Sequence, residues 1–328
     1  MATAPDASAS TLILGVGQGI GKPVYISTTE GSKHQWSCIT SDSAIYFYDA
    51  KNNAIMSLRG QTEPISTLKG LYSYFINNIT GSLITTDNPI DDINSSRAGV
   101  TASYNPKRFD VLFTFHDVQS GVKAPFTIAY NELAKCFTSF YDFYPTIYLN
   151  DKQNLFSVSP RTAVITNDQV WLHEYGNKGQ YYGINYPSTV ELFVNPAYPQ
   201  TKVYDNIEIA SEVLDTANSN INYLNETWST IRCSTDHQNS DVITLVPNTN
   251  IKRRERTFNL QVPRNRVIKG LSSVDITAAA NISPTQLFTD RLRDKALQIN
   301  LVYNNGTNSV YRDFLCPYIK TIYRVSTR

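Results

Sequence analysis

SAIYFYDAKNNAIMSLRG, residues 43–60, alternates Ala44, Tyr46 and Tyr48 with Ile45 and Phe47, turns through an Asp/Lys/Asn stretch, and returns as a second apolar run. A period of two built from aromatic and β-branched residues is the pattern of a pleated strand, so the segment reads as a β-hairpin. The same grammar recurs in FTIAYNELAKCFTSF at 126–140 and TIYLNDKQNLFSVS at 146–159. Each copy has an aromatic strand ending in Asp or Asn, a short polar turn and a returning strand. Repeated hairpins of this kind are the elements of β-propeller blades, so a propeller-like region is expected. A closed propeller uses about four to eight blades. Two or three are visible here, so the sequence reads as the C-terminal portion of a longer architecture.

Working outward, residues 1–10 (MATAPDASAS) are small and polar and read as a flexible N-terminus. Residues 11–204 form the propeller-like, β-rich region, with further strands in GVTASYNPKRFDVLFTFHD (99–117), DQVWLHEYG (168–176) and TVELFVN (189–195). One amphipathic helix is expected near 64–79, because Ile65, Leu68, Tyr72, Phe75, Ile76 and Ile79 fall on one face at helical spacing and Pro64 suits a first turn. PAYPQTK at 196–202 is a break. From 205 to 328 the strands resume as a β-sandwich-like C-terminal domain. ALQINLVYNNGTNSVYRDF (296–314) reads as a closing hairpin, since Asn305-Gly306 supplies the residues of a tight turn. The fold class is therefore all-β with few short helices.

Composition agrees with that reading. The 328 residues suffice for about two domains. Charged residues make up 17%, against about 25% in an average soluble chain, and 21 tyrosines help bring the aromatics to 12%. Such usage suits half-buried sheets and protein interfaces. The net charge of +1 draws the chain to neither nucleic acid nor lipid as a whole. No segment approaches the length of a membrane span. Cys38, Cys136, Cys233 and Cys316 lack zinc-ligand spacing and are expected as buried free thiols.

The chemical motifs are weak. GVGQGIGKP at 15–23 suggests a phosphate loop, but Val16 stands where the first glycine belongs, Pro23 follows the lysine, and strand rather than helix comes next. His173-Glu174 lacks a second histidine four residues on and reads as a strand-end pair. SDSAIYF (41–47) and TNDQVW (166–171) approach a glycosidase Asp-box turn without its glycine, and Asp91-Asp92 lie in a polar loop. No catalytic, metal or cofactor-binding residue is assigned, and no cofactor is expected. The strongest charge feature is Lys252-Arg253-Arg254-Glu255-Arg256, followed in sequence by Arg264, Arg266, Arg291 and Arg293. Convergence of these residues would allow phosphate contacts, whereas alternating charge on strand edges is also a normal guard against edge pairing. Arg253, Arg254, Arg256, Arg291 and Arg293 are the candidate interface residues.

GSKHQWSCITSDSAIYFYDAKNNAIMSLRG with PISTLKGLYSYF, and SPTQLFTDRLRDKALQINLVYNNG with PYIKTIYRVSTR, carry a family resemblance. These segments resemble the tail nozzle or muzzle proteins of crAss-like short-tailed phages. The resemblance implies a non-enzymatic virion protein whose subunits form a ring around the DNA exit channel and act in genome retention and ejection. It also implies as partners other copies of the chain or a longer nozzle chain, neighbouring tail and ring proteins, and transient contact with genomic DNA. A peripheral receptor- or carbohydrate-binding tail protein is the competing reading, and a glycosidase-like propeller a third.

Overall fold

The computed structural model describes residues 26–79, 99–116, 125–151, 153–160, 169–215, 221–266, 289–304 and 312–326. The chain is all-β and divides into two compact units, Met1–Glu174 and Tyr175–Arg328. The N-terminal segment 1–10, the glycine cluster at 15–23, Asp91-Asp92 and the Asn305-Gly306 turn lie outside the described residues.

Among its described residues the first unit holds three antiparallel sheets that follow one another along the chain. The first is β1 (Ile39–Thr40), β2 (Ile45–Asp49), β3 (Ala54–Leu58) and β4 (Thr62–Pro64), paired in that order. The second is β5 (Gly99–Asn105), β6 (Asp110–His116), β7 (Phe126–Asn131) and β8 (Cys136–Tyr141), and the third is β9 (Ile147–Asn150), β10 (Leu155–Val158) and β11 (Val170–Leu172). The hairpins read at 43–60, 126–140 and 146–159 are β2–β3, β7–β8 and β9–β10. Three consecutive meanders fall short of the four to eight blades of a closed ring. The propeller expectation therefore reduces here to its unit, the antiparallel meander.

Alternation in β6 explains how the sheets stack. Val111, Phe113 and Phe115 pack with Tyr46, Tyr48, Ile55, Val100 and Ile128 in a core shared with the first sheet. Leu112, between them, joins Ala129, Tyr148 and Leu155 in a core shared with the third. A sheet buried on both faces favours a near-continuous apolar run, here Val111–Phe115 interrupted by Thr114, and all seven residues of β6 are buried. The aromatic surplus is spent here. Phe115 lies at 5.3 Å from Tyr48, 5.6 Å from Phe75 and 5.1 Å from Phe126, ring centre to ring centre. On the other face the hydroxyl of Thr114 is 2.7 Å from both Thr127 Oγ1 and Tyr148 OH, so the buried hydroxyls satisfy one another.

The helix expected over 64–79 is broken. Helix α1 (Ile65–Leu68) is a single turn and α2 (Tyr72–Asn78) restarts after Gly70, whose φ of +88° lies in the left-handed region that ends helices. The interruption shifts the helical phase, so Ile65, Phe75 and Ile79 are buried while Leu68, Tyr72 and Ile76 of the expected stripe face solvent. Three of the four cysteines also depart from expectation. Cys38 and Cys136 are exposed, the latter opening β8, where exposure alternates, and Cys316 is half-buried, whereas Cys233 is buried. Burial pushes the Cys233 thiol up to about 12.

In the second unit, β12 (Gln180–Tyr181) and β13 (Ile184–Asn185) form a small hairpin. One sheet consists of β14 (Ser188–Val194), β21 (Leu297–Tyr303), β16 (Thr230–Ser234) and β17 (Asn239–Thr244), in that spatial order. The other consists of β18 (Ile251–Arg254), β19 (Thr257–Gln261), β15 (Lys202–Asp215) and β20 (Arg293–Asp294), with β22 (Arg312–Val325) on the far edge of β15. Their inner faces share one core, in which Tyr204, Ile207, Ile209, Phe258 and Leu260 meet Ile231, Leu297, Ile299 and Leu301. The boundary expected at 204/205 thus falls inside β15, and the unit begins well before it. The closing hairpin of 296–314 is also not formed as read. β21 is flanked by β14 and β16, while β22 pairs with β15, so the two strands belong to different sheets.

One buried carboxylate ties the first two sheets together. Glu132, just after β7, accepts hydrogen bonds from Ser41 Oγ (2.6 Å), Ser43 Oγ and Tyr46 OH (2.8 Å), with Arg59 Nη2 at 3.9 Å. Burial alone raises its carboxyl, but donation from Ser41, Ser43 and Tyr46 favours the ionised form and holds it below the usual range. A carboxyl whose folded value lies below its unfolded one, about 4.3, stabilises fully above that pH and loses the contribution as pH falls through the folded value. Glu132→Gln is expected to cost about 1–3 kcal/mol near neutrality. It should also flatten the acid limb of the stability profile, read by denaturant unfolding at pH 7 and at about pH 3. Equal losses at both pH values would contradict this reading. At Gly70, replacement by Ala is expected to destabilise the first unit by about 1 kcal/mol through its positive φ, measurable by the same unfolding.

Candidate interface site

The arginines singled out in the sequence are separated by the fold. β18 and β19 form a hairpin in which Arg253 pairs opposite Phe258 and Arg254 opposite Thr257. Paired residues share a face, so Arg253 turns toward the Phe258 side, its guanidinium 6.0 Å from that ring, and is only partly exposed. Arg254 lies on the opposite, solvent face, and Arg256 is exposed in the turn beside Glu255, whose φ is +55°. Arg291 and Arg293 are exposed, just before and within β20, with Arg293 opposite Val203 of β15.

A cleft of about 380 Å³ opens on this outer surface, lined by Asp205, Asn206, Gln261, Arg264, Arg291 and Arg324 among others. Its cause is local. The pairing of β15 with β22 slips by one residue between Tyr204 and Asn206, leaving Asp205 as the extra residue of a β-bulge. Tyr204 stays in the core opposite Tyr323 while Asp205 is turned out. Its carboxylate receives Arg291 Nη1 on Oδ1 and Arg324 Nε at 3.2 Å on Oδ2. Arg264, leaving β19, reaches the carbonyl of Thr289 at 3.3 Å. Arg264 and Arg291, which stand out in the sequence as basic residues, are brought together here. Arg324 and Asp205 do not stand out, because nothing in the alternation of either strand marks the bulge.

Two other clusters look chemical without exposing a reactive group. Ser157 Oγ lies 2.6 Å from His173 Nε2, and burial pushes that imidazole down to about 4, so the ring is neutral near pH 7. Ser157 is fully buried, however, which denies a substrate access to its hydroxyl. Glu174 is engaged by Arg108 at 2.8 Å. Lys202 is likewise buried, its Nζ 2.6 Å from the carbonyl of Pro196, and desolvation lowers its ammonium. Among the described residues no group of three His, Cys, Asp or Glu is placed to hold a metal ion, and no helix is long and apolar enough to cross a membrane.

Comparison with known proteins follows the division into units. Residues 2–161 match the family described as Crassvirus muzzle protein, and residues 176–265 match the Crassvirus muzzle protein C-terminal domain. The chain is also 24% identical over 252 residues to the muzzle protein of Bacteroides phage crAss001. That alignment takes in 73% of this chain and 16% of the relative, so the chain spans about one-sixth of the relative's length. With one family domain on each compact unit, the chain belongs to the muzzle protein family of crAss-like phages.

Proposed function

We propose that the chain is a non-enzymatic structural component of a phage tail, forming part of a nozzle ring around the DNA exit channel and acting in genome retention and ejection. The observation that carries this reading is the pair of muzzle-family matches, one on each unit. A nozzle performs no bond chemistry. It needs rigid units and surfaces that repeat around an axis. The three antiparallel meanders formed by the described residues of the first unit suit that role as rigid units.

Assembly surfaces of the right kind are present. β22 lies at the edge of its sheet and turns Leu315, Tyr318 and Ile322 outward at 45%, 46% and 40% exposure. A long edge strand bearing exposed apolar residues is a surface that assembly covers. On the opposite edge, Arg254 and Arg256 of the β18–β19 hairpin project with the polar tips that interfaces favour. In this proposal Arg253, Arg254, Arg256, Arg291 and Arg293, all residues of the second unit, face other copies or neighbouring tail proteins.

Native mass spectrometry of the full chain, with intact-mass analysis of purified particles, tests the proposal. A ring-sized oligomer, or its mass within the particle in a fixed ratio to the portal, is expected. A monodisperse monomer absent from particles would favour a peripheral receptor- or carbohydrate-binding role instead. Arg254→Gln combined with Arg256→Gln is expected to shift the mass distribution toward monomer; an unchanged distribution would remove that hairpin from the interface.

A further inference from the structure

We infer that the cleft over the Asp205 bulge is a phosphate-binding site, open to inorganic phosphate or to the phosphodiester groups of nucleic acid. Three guanidinium groups reach it from three separated segments: Arg264 beyond β19, Arg291 before β20 and Arg324 on β22. Among the described residues that line it, one carboxylate is present, that of Asp205. Three positive charges against one negative leave the cleft a local charge of +2 in a chain whose net charge is only +1.

The donor inventory points the same way. Each guanidinium carries five N–H groups in a planar fork. Asp205 engages Arg291 and Arg324, and the Thr289 carbonyl takes one donor of Arg264. Arg291 and Arg324 nevertheless remain 43% and 63% exposed, and Arg264 is exposed as well. Asp205 therefore orients two of the forks without consuming their capacity. A concave site with an excess of one sign concentrates its field at the mouth, which an equal number of scattered surface arginines does not do. Asn206 and Gln261 add neutral amides to the lining.

The cleft offers a phosphate group what it needs and a base nothing. The aromatic residue in the lining, Tyr204, is 1% exposed, with its hydroxyl turned to the carbonyls of Val194 and Lys295 at 3.4 and 3.2 Å. No ring face is presented for stacking, so nucleic acid would be held by its backbone alone and without sequence preference. The inference is independent of the channel reading, because the site lies wholly within the second unit and needs no ring.

The test uses the full chain at low salt with three probes: inorganic phosphate followed by calorimetry, and fluorescein-labelled single- and double-stranded DNA oligonucleotides followed by anisotropy. Binding should weaken with salt at a log–log slope of roughly −2 on duplex DNA, as about two phosphate contacts give. Arg264→Gln should weaken binding about 5–10-fold and reduce that slope by about one. Asp205→Asn should tighten it several-fold, because removing the carboxylate raises the local charge; a purely structural ion pair predicts no gain. Lys69→Gln, a charge removed from the first unit, serves as the control for net charge, and circular dichroism reports folding. Phosphate binding without oligonucleotide binding would assign the free anion, and oligonucleotide binding would assign the phosphodiester. Absence of binding by all three probes, equal losses in Arg264→Gln and Lys69→Gln, or binding only to a poly-glutamate competitor would overturn the inference.

Discussion

The fourteen-residue strand β15 is the constraint on which the second unit depends. One edge pairs with β22 along nearly its whole length, while the other carries β19 and β20. A strand so fully paired must keep its apolar residues in phase with the core, and Tyr204 does so with Ile207, Ile209 and Val213 because the register shift at Asp205 absorbs the mismatch. The same shift puts Asp205 on the surface beneath Arg291 and Arg324. The irregularity that keeps the core in phase also creates the charged cleft.

The first unit answers a different requirement. Its middle sheet is covered on both faces, so β6 carries an unbroken apolar and threonine run where a one-sided strand would alternate with charge. Burial of that kind leaves few places for polar groups, and the hydroxyls of Thr114, Thr127 and Tyr148 answer it by clustering. Glu132 centres a further cluster: its single carboxylate gathers donors from the β1–β2 turn, from β2 and from the β3 exit. Breaking it would strand a buried charge or its donors, which costs more than the bonds themselves contribute.

The strands were legible because local periodicity is printed in the residues. Phe126–Asn131 with Cys136–Tyr141, and Ile147–Asn150 with Leu155–Val158, stand where the pattern places them. What the pattern does not carry is the choice of partner. β21 has the periodicity of a hairpin strand, yet β14 and β16 flank it, and no local signal distinguishes these outcomes. Apolar spacing at 64–79 does not carry the break at Gly70, whose positive φ overrides it. The charged cleft was half legible. Its arginines at 264 and 291 stand out by type, whereas Arg324 and Asp205 acquire their roles from a bulge between strands more than a hundred residues apart in sequence.

Family membership and fold together frame the chain as a β-rich structural component whose second unit carries, among the described residues, a charged concavity and an apolar strand edge, features that suit a protein acting through contacts. The most direct test of that account is immuno-electron microscopy of intact particles, using antibodies against residues 175–328. Labelling at the distal end of the tail, in several copies per particle, is the predicted result. Labelling confined to the capsid, or particles that carry no epitope, would contradict it.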